Sequence, residues 1–312
     1  MTYASGGLIE ASDFNNIVGG SAGTQGGGTQ LNPVWSTGLG SYGYGQTAVG
    51  NVSVGGTVAA TNWASLVNTL NSARVHQSGS GSGISAPTAG TSIAFLSTLT
   101  SAVSTAATNR LSAATVGTTT SSSKATTMNT SAGTSVTGII TFTITFSSGV
   151  DATRYFFNSG GYITLAYNSF TNTGGTSRGT SIQTLAQTNF SSKRLNAITY
   201  GARAGSGGTL NTDTTTGGYY TGLTTTPTEK FKVTSTSYYT GDFLSVNYST
   251  NGTTGSYSAN GNTITITVNA FSATTGSTQP ADSINVSLGM ICTVQFPETT
   301  NLTNTWGTVT IS

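Results

Sequence analysis

From Ile139 to Phe146 the chain alternates. Ile140, Phe142, Ile144 and Phe146 point one way, and Thr141, Thr143 and Thr145 the other. Period-two spacing of this kind is the signature of a strand with one apolar face. Two aromatic-rich runs follow, 153–157 and 162–167, separated by Asn158-Ser159-Gly160-Gly161, and this predicts a hairpin. Three strands with a common apolar face need a second layer to cover it. Downstream, Phe231 and Val233 mark one strand, and Leu244, Val246 and Tyr248 lie on one face of the next. Ile264, Ile266 and Val268 alternate with Thr263, Thr265 and Thr267. The even positions from Ile284 to Phe296 stay apolar for so long that a bend or bulge is expected near Gly289. Asn251-Gly252 and Asn260-Gly261 are turn signals, and Trp306, Val309 and Ile311 close the chain. The stretch near 181–203 carries no clear pattern. About seven to nine strands over 136–312 predict an antiparallel β-sandwich.

Upstream the period changes. Trp63, Leu66, Val67, Leu70 and Arg74 follow helical spacing over 61–77, with Thr61 or Asn62 as N-cap. A second helix is expected from about Ser92 to Leu111, with Leu96, Leu99, Val103 and Ala106 on one stripe. Together they make a helical hairpin over 61–111, and the Ser/Thr-rich residues 112–135 are expected to be a linker. Residues 1–60 are dense in glycine, broken by Trp35, Tyr42 and Tyr44. Such a segment has little surface to bury on itself, so it is expected to be an extended arm that orders against a neighbouring subunit. Leu8, Phe14, Trp35, Tyr42 and Tyr44 are its candidate assembly residues. Removal of residues 1–45 is expected to leave the remainder folded. The fold class is thus mainly β with a small α part: arm, helical hairpin, sandwich.

Composition narrows the function. Only 6% of the residues are charged, against about 25% in ordinary domains. Ten basic and eight acidic residues, scattered, give +2, and no basic run with interleaved aromatics points to nucleic acid. The single cysteine, Cys292, cannot form an intrachain disulfide, which fits folding in a reducing cytosol. No signal-peptide pattern opens the sequence, and no apolar run approaches the roughly 18 residues of a membrane span.

Candidate chemistry is sparse. His76 is the only histidine; it excludes multi-histidine zinc sites, and its place at a helix C-terminus suits the helix dipole. Glu10, Asp13, Asp151, Asp213, Glu229, Asp242, Asp282 and Glu298 are spread singly, so no carboxylate pair or calcium loop is visible. They read as caps and as partners for nearby bases, Asp151 with Arg154 among them. No phosphate loop occurs, and no metal or cofactor is expected. Tyrosines in Gly/Thr-rich loops, namely Tyr219, Tyr220, Tyr238, Tyr239 and Tyr257, are the candidate surface contacts, either to sugars or to a neighbouring subunit. The alternative is that each supplies a ring to the core.

Several phrases carry a resemblance: GLIEASDFNNIVGG, LNPVWSTGLGSYGYGQ, NWASLVNTLNSARVHQ, SAPTAGTSIAFLSTLTSAVSTAATNRL, RYFFNSGGYITL and the closing NTWGTVTIS. Over most of its length the chain resembles a group of virion structural proteins of tailed bacteriophages, common in aquatic phages and often described as tail fibre proteins. The resemblance implies a non-enzymatic particle component made in the bacterial cytosol and assembled as a homo-oligomer. It would be a tail- or neck-associated fibre or appendage, with copies of itself and other virion proteins as partners and host surface glycan as a further candidate. A head decoration or connector protein without a receptor is the alternative, and a glycan-cleaving enzyme a third reading.

Overall fold

Ile140, Phe142, Ile144 and Phe146 are all buried, and the threonines between them are half-exposed, as the alternation requires. They form β2 (Val136–Phe146) of a computed structural model that describes residues 10–20, 29–90, 93, 95–190, 193–203, 205–236, 239–274 and 282–312. The other strands among these residues are β1 (Val116–Thr130), β3 (Tyr162–Asn172), β4 (Lys193–Leu195), β5 (Thr209–Asp213), β6 (Thr228–Thr234), β7 (Phe243–Thr250), β8 (Thr263–Ser272), β9 (Ile284–Pro297) and β10 (Val309–Ile311). The helices are α1 (Ala11–Val18), α2 (Asn32–Trp35), α3 (Ala60–Ser78), α4 (Leu96–Thr108), α5 (Ala152–Asn158), α6 (Ser177–Asn189) and α7 (Gly218–Gly222).

The strands make two antiparallel sheets, one in the order β1-β9-β3-β4 and one in the order β10-β2-β8-β7-β6-β5. Their inner faces share one core, which includes Phe142, Val246 and Ile266 from the larger sheet and Leu165, Leu288 and Val294 from the smaller. Fully burying one such side chain is worth about 1.5–3 kcal/mol, so this shared core is the main reason the sheets face each other. Lysines bridge the two sheets along both sides. On one side Lys124 of β1 donates to the Thr141 carbonyl of β2 at 2.6 Å. On the other, buried Lys193 of β4 meets Asp213 of β5 at 2.5 Å.

A helix closes each end of the sandwich. At one end Phe156 of α5 packs edge-on or tilted against Phe146, Phe296 and Trp306, with ring centroids at 4.9, 6.4 and 6.4 Å. At the other, Ile182, Leu185 and Ala186 of α6 enter the core, and fully buried Arg178 reaches across the strand ends. Its guanidinium donates to Ser272 Oγ at 2.7 Å, the Thr134 carbonyl at 2.8 Å, the Ser272 carbonyl at 3.0 Å and the Asp282 carbonyl at 3.1 Å.

Four expectations need correction. Residues 116–130, within the supposed linker 112–135, are the strand β1, paired along its length with β9. Serine and threonine suit a strand, but β1 lies at a sheet edge with only Met128 buried, so it has no apolar period to reveal it. Residues 153–157 are not the first strand of a hairpin but lie in helix α5. Its aromatics look β-like, yet Arg154 and Asn158, at helical i, i+4 spacing, reach one neighbour while Phe156 and Phe157 fill the core. The patternless stretch near 181–203 opens with α6, whose threonines face solvent and blur its apolar stripe. The helix over 61–77 is present as α3, but it starts at Ala60, and Asn62 Oδ1 accepts from the Ala59 N–H instead of capping from outside.

The irregularity expected near Gly289 falls on the neighbouring strand. β9 runs through as one strand, and β3 carries the extra residue, Asn168, between Tyr167 opposite Met290 and Ser169 opposite Gly289. A Cβ on Gly289 would lie 2.2 Å from Ser169 Oγ, so a side chain there would have to turn the Ser169 hydroxyl away.

Arg178→Ala takes this donor from two buried acceptors, the hydroxyl and carbonyl oxygens of Ser272. Each buried unpaired group costs about 1–3 kcal/mol, so the urea midpoint should fall by an amount equivalent to several kcal/mol. A midpoint within error of wild type would remove Arg178 from its role at this end of the sandwich.

Candidate functional site

The segment with the most unusual backbone is Ser36–Gln46, where Gly38, Gly40, Gly43 and Gly45 all have positive φ. At Gly43 (φ 94°) a Cβ would stand 2.4 Å from the Thr37 carbonyl oxygen, and at Gly45 one would enter the Tyr155 ring. These turns aim backbone carbonyls at α5. Arg154 donates to the Thr37 carbonyl at 2.5 Å and the Tyr42 carbonyl at 2.6 Å. Asn158 Nδ2 donates to the carbonyls of Tyr42 and Gly43 at 3.0 and 2.9 Å, and the Tyr220 hydroxyl donates to Asn158 Oδ1. On the far side Arg110 lies over the Tyr42 ring at 4.2 Å and bonds Ser41.

The same segment is stitched to the end of the chain. Gln46 Oε1 accepts from the Thr303 N–H and hydroxyl, while its Nε2 donates to the Thr303 carbonyl. Thr305 Oγ1 donates to the Tyr44 carbonyl at 2.7 Å, and Gln77 Nε2 donates to the Tyr44 hydroxyl. Beside them lies His76, 1% exposed, with Nδ1 2.9 Å from Glu298 Oε1 and the Tyr44 ring edge-on at 5.3 Å. Glu298 Oε2 also accepts the N–H groups of Thr300 and Asn301. Sequence reasoning placed His76 correctly at the end of a helix but missed Glu298, which is remote in the chain. Burial holds the imidazole below its usual pKa, although Glu298 and the Ser159 backbone pull the other way. Glu298 is held below the usual carboxylate range because His76 and the loop amides outweigh its own desolvation. His76 Nε2 is sealed from solvent, and Glu298 is 6% exposed. The pair fastens α3 to the C-terminal loop.

The remaining acids serve as partners, as their sequence suggested. Asp151 lies 3.7 Å from Arg154 and accepts from Asn260 Nδ2 and the Ser258 N–H. Asp242 accepts from the Ala273 N–H and Ser272 Oγ; burial raises its pKa against the pull of these bonds and of Arg178. No group of three or more metal-ligating side chains occurs among the described residues. Cys292 is buried, and its thiol is pushed up to about 12. Among the described residues no helix is long and apolar enough to cross a membrane.

The aromatic candidates divide differently from the expectation. Phe14 is fully buried against Trp63 at 5.1 Å, and Tyr44 is fully buried at the seam. Trp35 and Tyr42 are partly buried, Trp35 donating to the Thr47 carbonyl at 2.9 Å. The arm is therefore not extended toward a neighbour: α1, Leu31 and Val49 share a core with the helical hairpin of this same chain. The glycine-rich composition concealed this because much of the binding runs through backbone carbonyls. Tyr219 stacks on Phe157 at 4.6 Å in the core, Tyr239 is buried, and Tyr220 is partly buried on Asn158. Tyr219 and Tyr239 are interior residues, not surface contacts. Tyr257 is exposed, while Leu8 and Tyr238 lie outside the described residues.

Two outcomes follow from this seam. His76 titrates lower in the folded chain than its unfolded value of 6.5, so the unfolded state takes up the proton first. Its contribution is intact above that value and lost as the pH falls through it, and Glu298 adds a loss of the same sign below 4.5. Urea midpoints should drop between pH 7.5 and 5.5, and His76→Gln should flatten that drop; a wild-type midpoint that rises on acidification would show that Glu298 outweighs burial. Deletion of residues 1–45 removes Phe14, Ile17, Val18, Leu31 and Tyr44 from buried positions. At about 1.5–3 kcal/mol each, against a typical net stability of about 5–15 kcal/mol, the truncated chain should lose its cooperative melt. An unchanged melt would return the segment to the status of a free arm.

No family model matches this chain, and no curated protein or solved structure is similar to it.

Proposed function

We propose that the chain is a non-enzymatic structural component of a tailed-phage particle. In this reading it is a tail- or neck-associated fibre or appendage subunit acting as a homo-oligomer, with the sandwich directed outward. The observation that carries the reading is where the resembling phrases fall. Residues 31–46, 62–77, 154–165 and 304–312 are remote in sequence, yet they converge at the seam between the N-terminal unit and the sandwich. In this reading the phrases mark a three-dimensional joint and not only a composition. The buried ionisable groups support the same reading, since Lys193, Arg154, Arg178, His76 and Glu298 are all engaged in holding elements together.

The folded N-terminal unit changes how attachment would work. Instead of a loose arm that orders on the particle, a preformed base of α1 to α4 would dock, and its exposed side is where other virion proteins would bind.

Purified particles test this directly. An antibody to the sandwich should label the tail, neck or fibre tips in immunogold images. Even label over the head would replace the appendage by a decoration protein, and absence of the chain from purified particles would overturn the structural role.

A further inference from the structure

Arginine is used inwardly almost everywhere in the sandwich. Arg154, Arg178 and Arg203 donate to carbonyls and side chains of the chain itself. Arg194, the middle residue of β4, differs. Its side chain is exposed, and its guanidinium carbon lies 3.4 Å from the centroid of the Tyr162 ring. Among the described residues its side chain makes no hydrogen bond and no ion pair, so its donors are unused within the chain. Stacking on an aromatic ring orients the planar fork and reduces the freedom it would lose on binding.

Arg194 is among the residues that line a small cavity of about 150 Å³ at the rim where α5, the end of the helical hairpin and the loop after β4 meet. Gly160 and Gly161 form part of its wall, and neither tolerates a side chain: a Cβ would stand 2.5 Å from Ala113 Cβ and 2.5 Å from the Phe156 ring. Leu111 and the exposed Ile198 supply apolar surface. Asn196 supplies an amide. Its Oδ1 is taken by the Ile198 N–H, the Thr199 N–H and the Thr199 hydroxyl, which leaves Nδ2 to donate. At about 30 Å³ per liquid water, the cavity has room for a carboxylate and part of one sugar ring, not for a large ligand.

We infer that this cavity binds the carboxylate of an acidic monosaccharide unit, such as a uronic or sialic acid, at the tip of a surface glycan. A guanidinium fork matches a carboxylate in two parallel bonds. The Asn196 amide suits an adjacent hydroxyl, and Leu111 and Ile198 suit the C–H face of a pyranose. This names a ligand class for the outward-facing sandwich proposed above. It is tested on the isolated protein, so its failure leaves the place on the particle untouched, and a wrong place on the particle leaves the site untouched.

The test is an NMR titration of the full chain with free N-acetylneuraminic acid, galacturonic acid and neutral galactose, repeated on Arg194→Met and Arg194→Lys. Arg194 is exposed, so both variants should keep the wild-type melt. At least one acidic sugar should shift resonances around Asn196 and Gly161, and galactose should not. Arg194→Met should abolish the shifts, and Arg194→Lys should weaken binding at least about tenfold, because an ammonium cannot reproduce the fork. Equal binding of galactose, or unchanged binding by Arg194→Met, overturns the inference. So does a site that takes a glutamate-terminated peptide but neither acidic sugar.

Discussion

The hydrogen bonds from Arg154 and Asn158 to the carbonyls of Thr37, Tyr42 and Gly43 hold the molecule together as one body. Each of these carbonyls needs a donor once it is buried, and each donor needs an acceptor, so neither side of the seam is satisfied alone. The glycines with positive φ are what allow the backbone to present its oxygens in this way. A chain with so few charges has placed one of its guanidinium groups at 0% exposure at the joint, where one side chain can satisfy acceptors from two separate turns.

Arg178 repeats the device at the other end of the sandwich. There too a buried guanidinium on a capping helix gathers the ends of strands that lie far apart in sequence. Between them the two sheets are held by area: alternating aliphatic and aromatic positions supply non-directional attraction, and the strand register makes it specific. The lysines at the two open sides complete the pattern. Apolar burial fills the middle, and single cations at the ends and edges fix how the layers meet.

Much of this was legible in the sequence wherever one face of an element is apolar. β2, β6, β7, β8 and β9 announce themselves through period two, and α3 through helical spacing. β1 does not, because it is an edge strand whose pairing is to backbone, and backbone pairing leaves no periodic trace in serine and threonine. α5 does not, because Arg154 and Asn158 occupy the positions where an amphipathic helix would show exposed polar residues, yet both are buried. The folded state of residues 10–20 and 29–60 was hidden for a related reason: its glycines signal backbone geometry, and geometry alone does not say what the backbone touches. The candidate carbohydrate site depends on Arg194 having no bond within the sandwich among the described residues, and that emerges only when Arg154, Arg178 and Arg203 are seen to be engaged.

The seam also carries a consequence for the order in which the protein is made. His76 and Glu298 are 222 residues apart, and Gln46 and Thr303 are 257 apart. On a ribosome that releases about 5–20 residues per second, the N-terminal unit emerges many seconds before its last partners exist. Its helices can pack during that interval, but the carbonyls of the glycine-rich turns wait for the donors of α5, and Tyr44 and Gln46 wait longer still, for the loop after β9. β1 waits in the same way for β9. A chain that stops short of Glu298 keeps the bonds of α5 to the turns but lacks those that fasten His76, Tyr44 and Gln46 to the last loop.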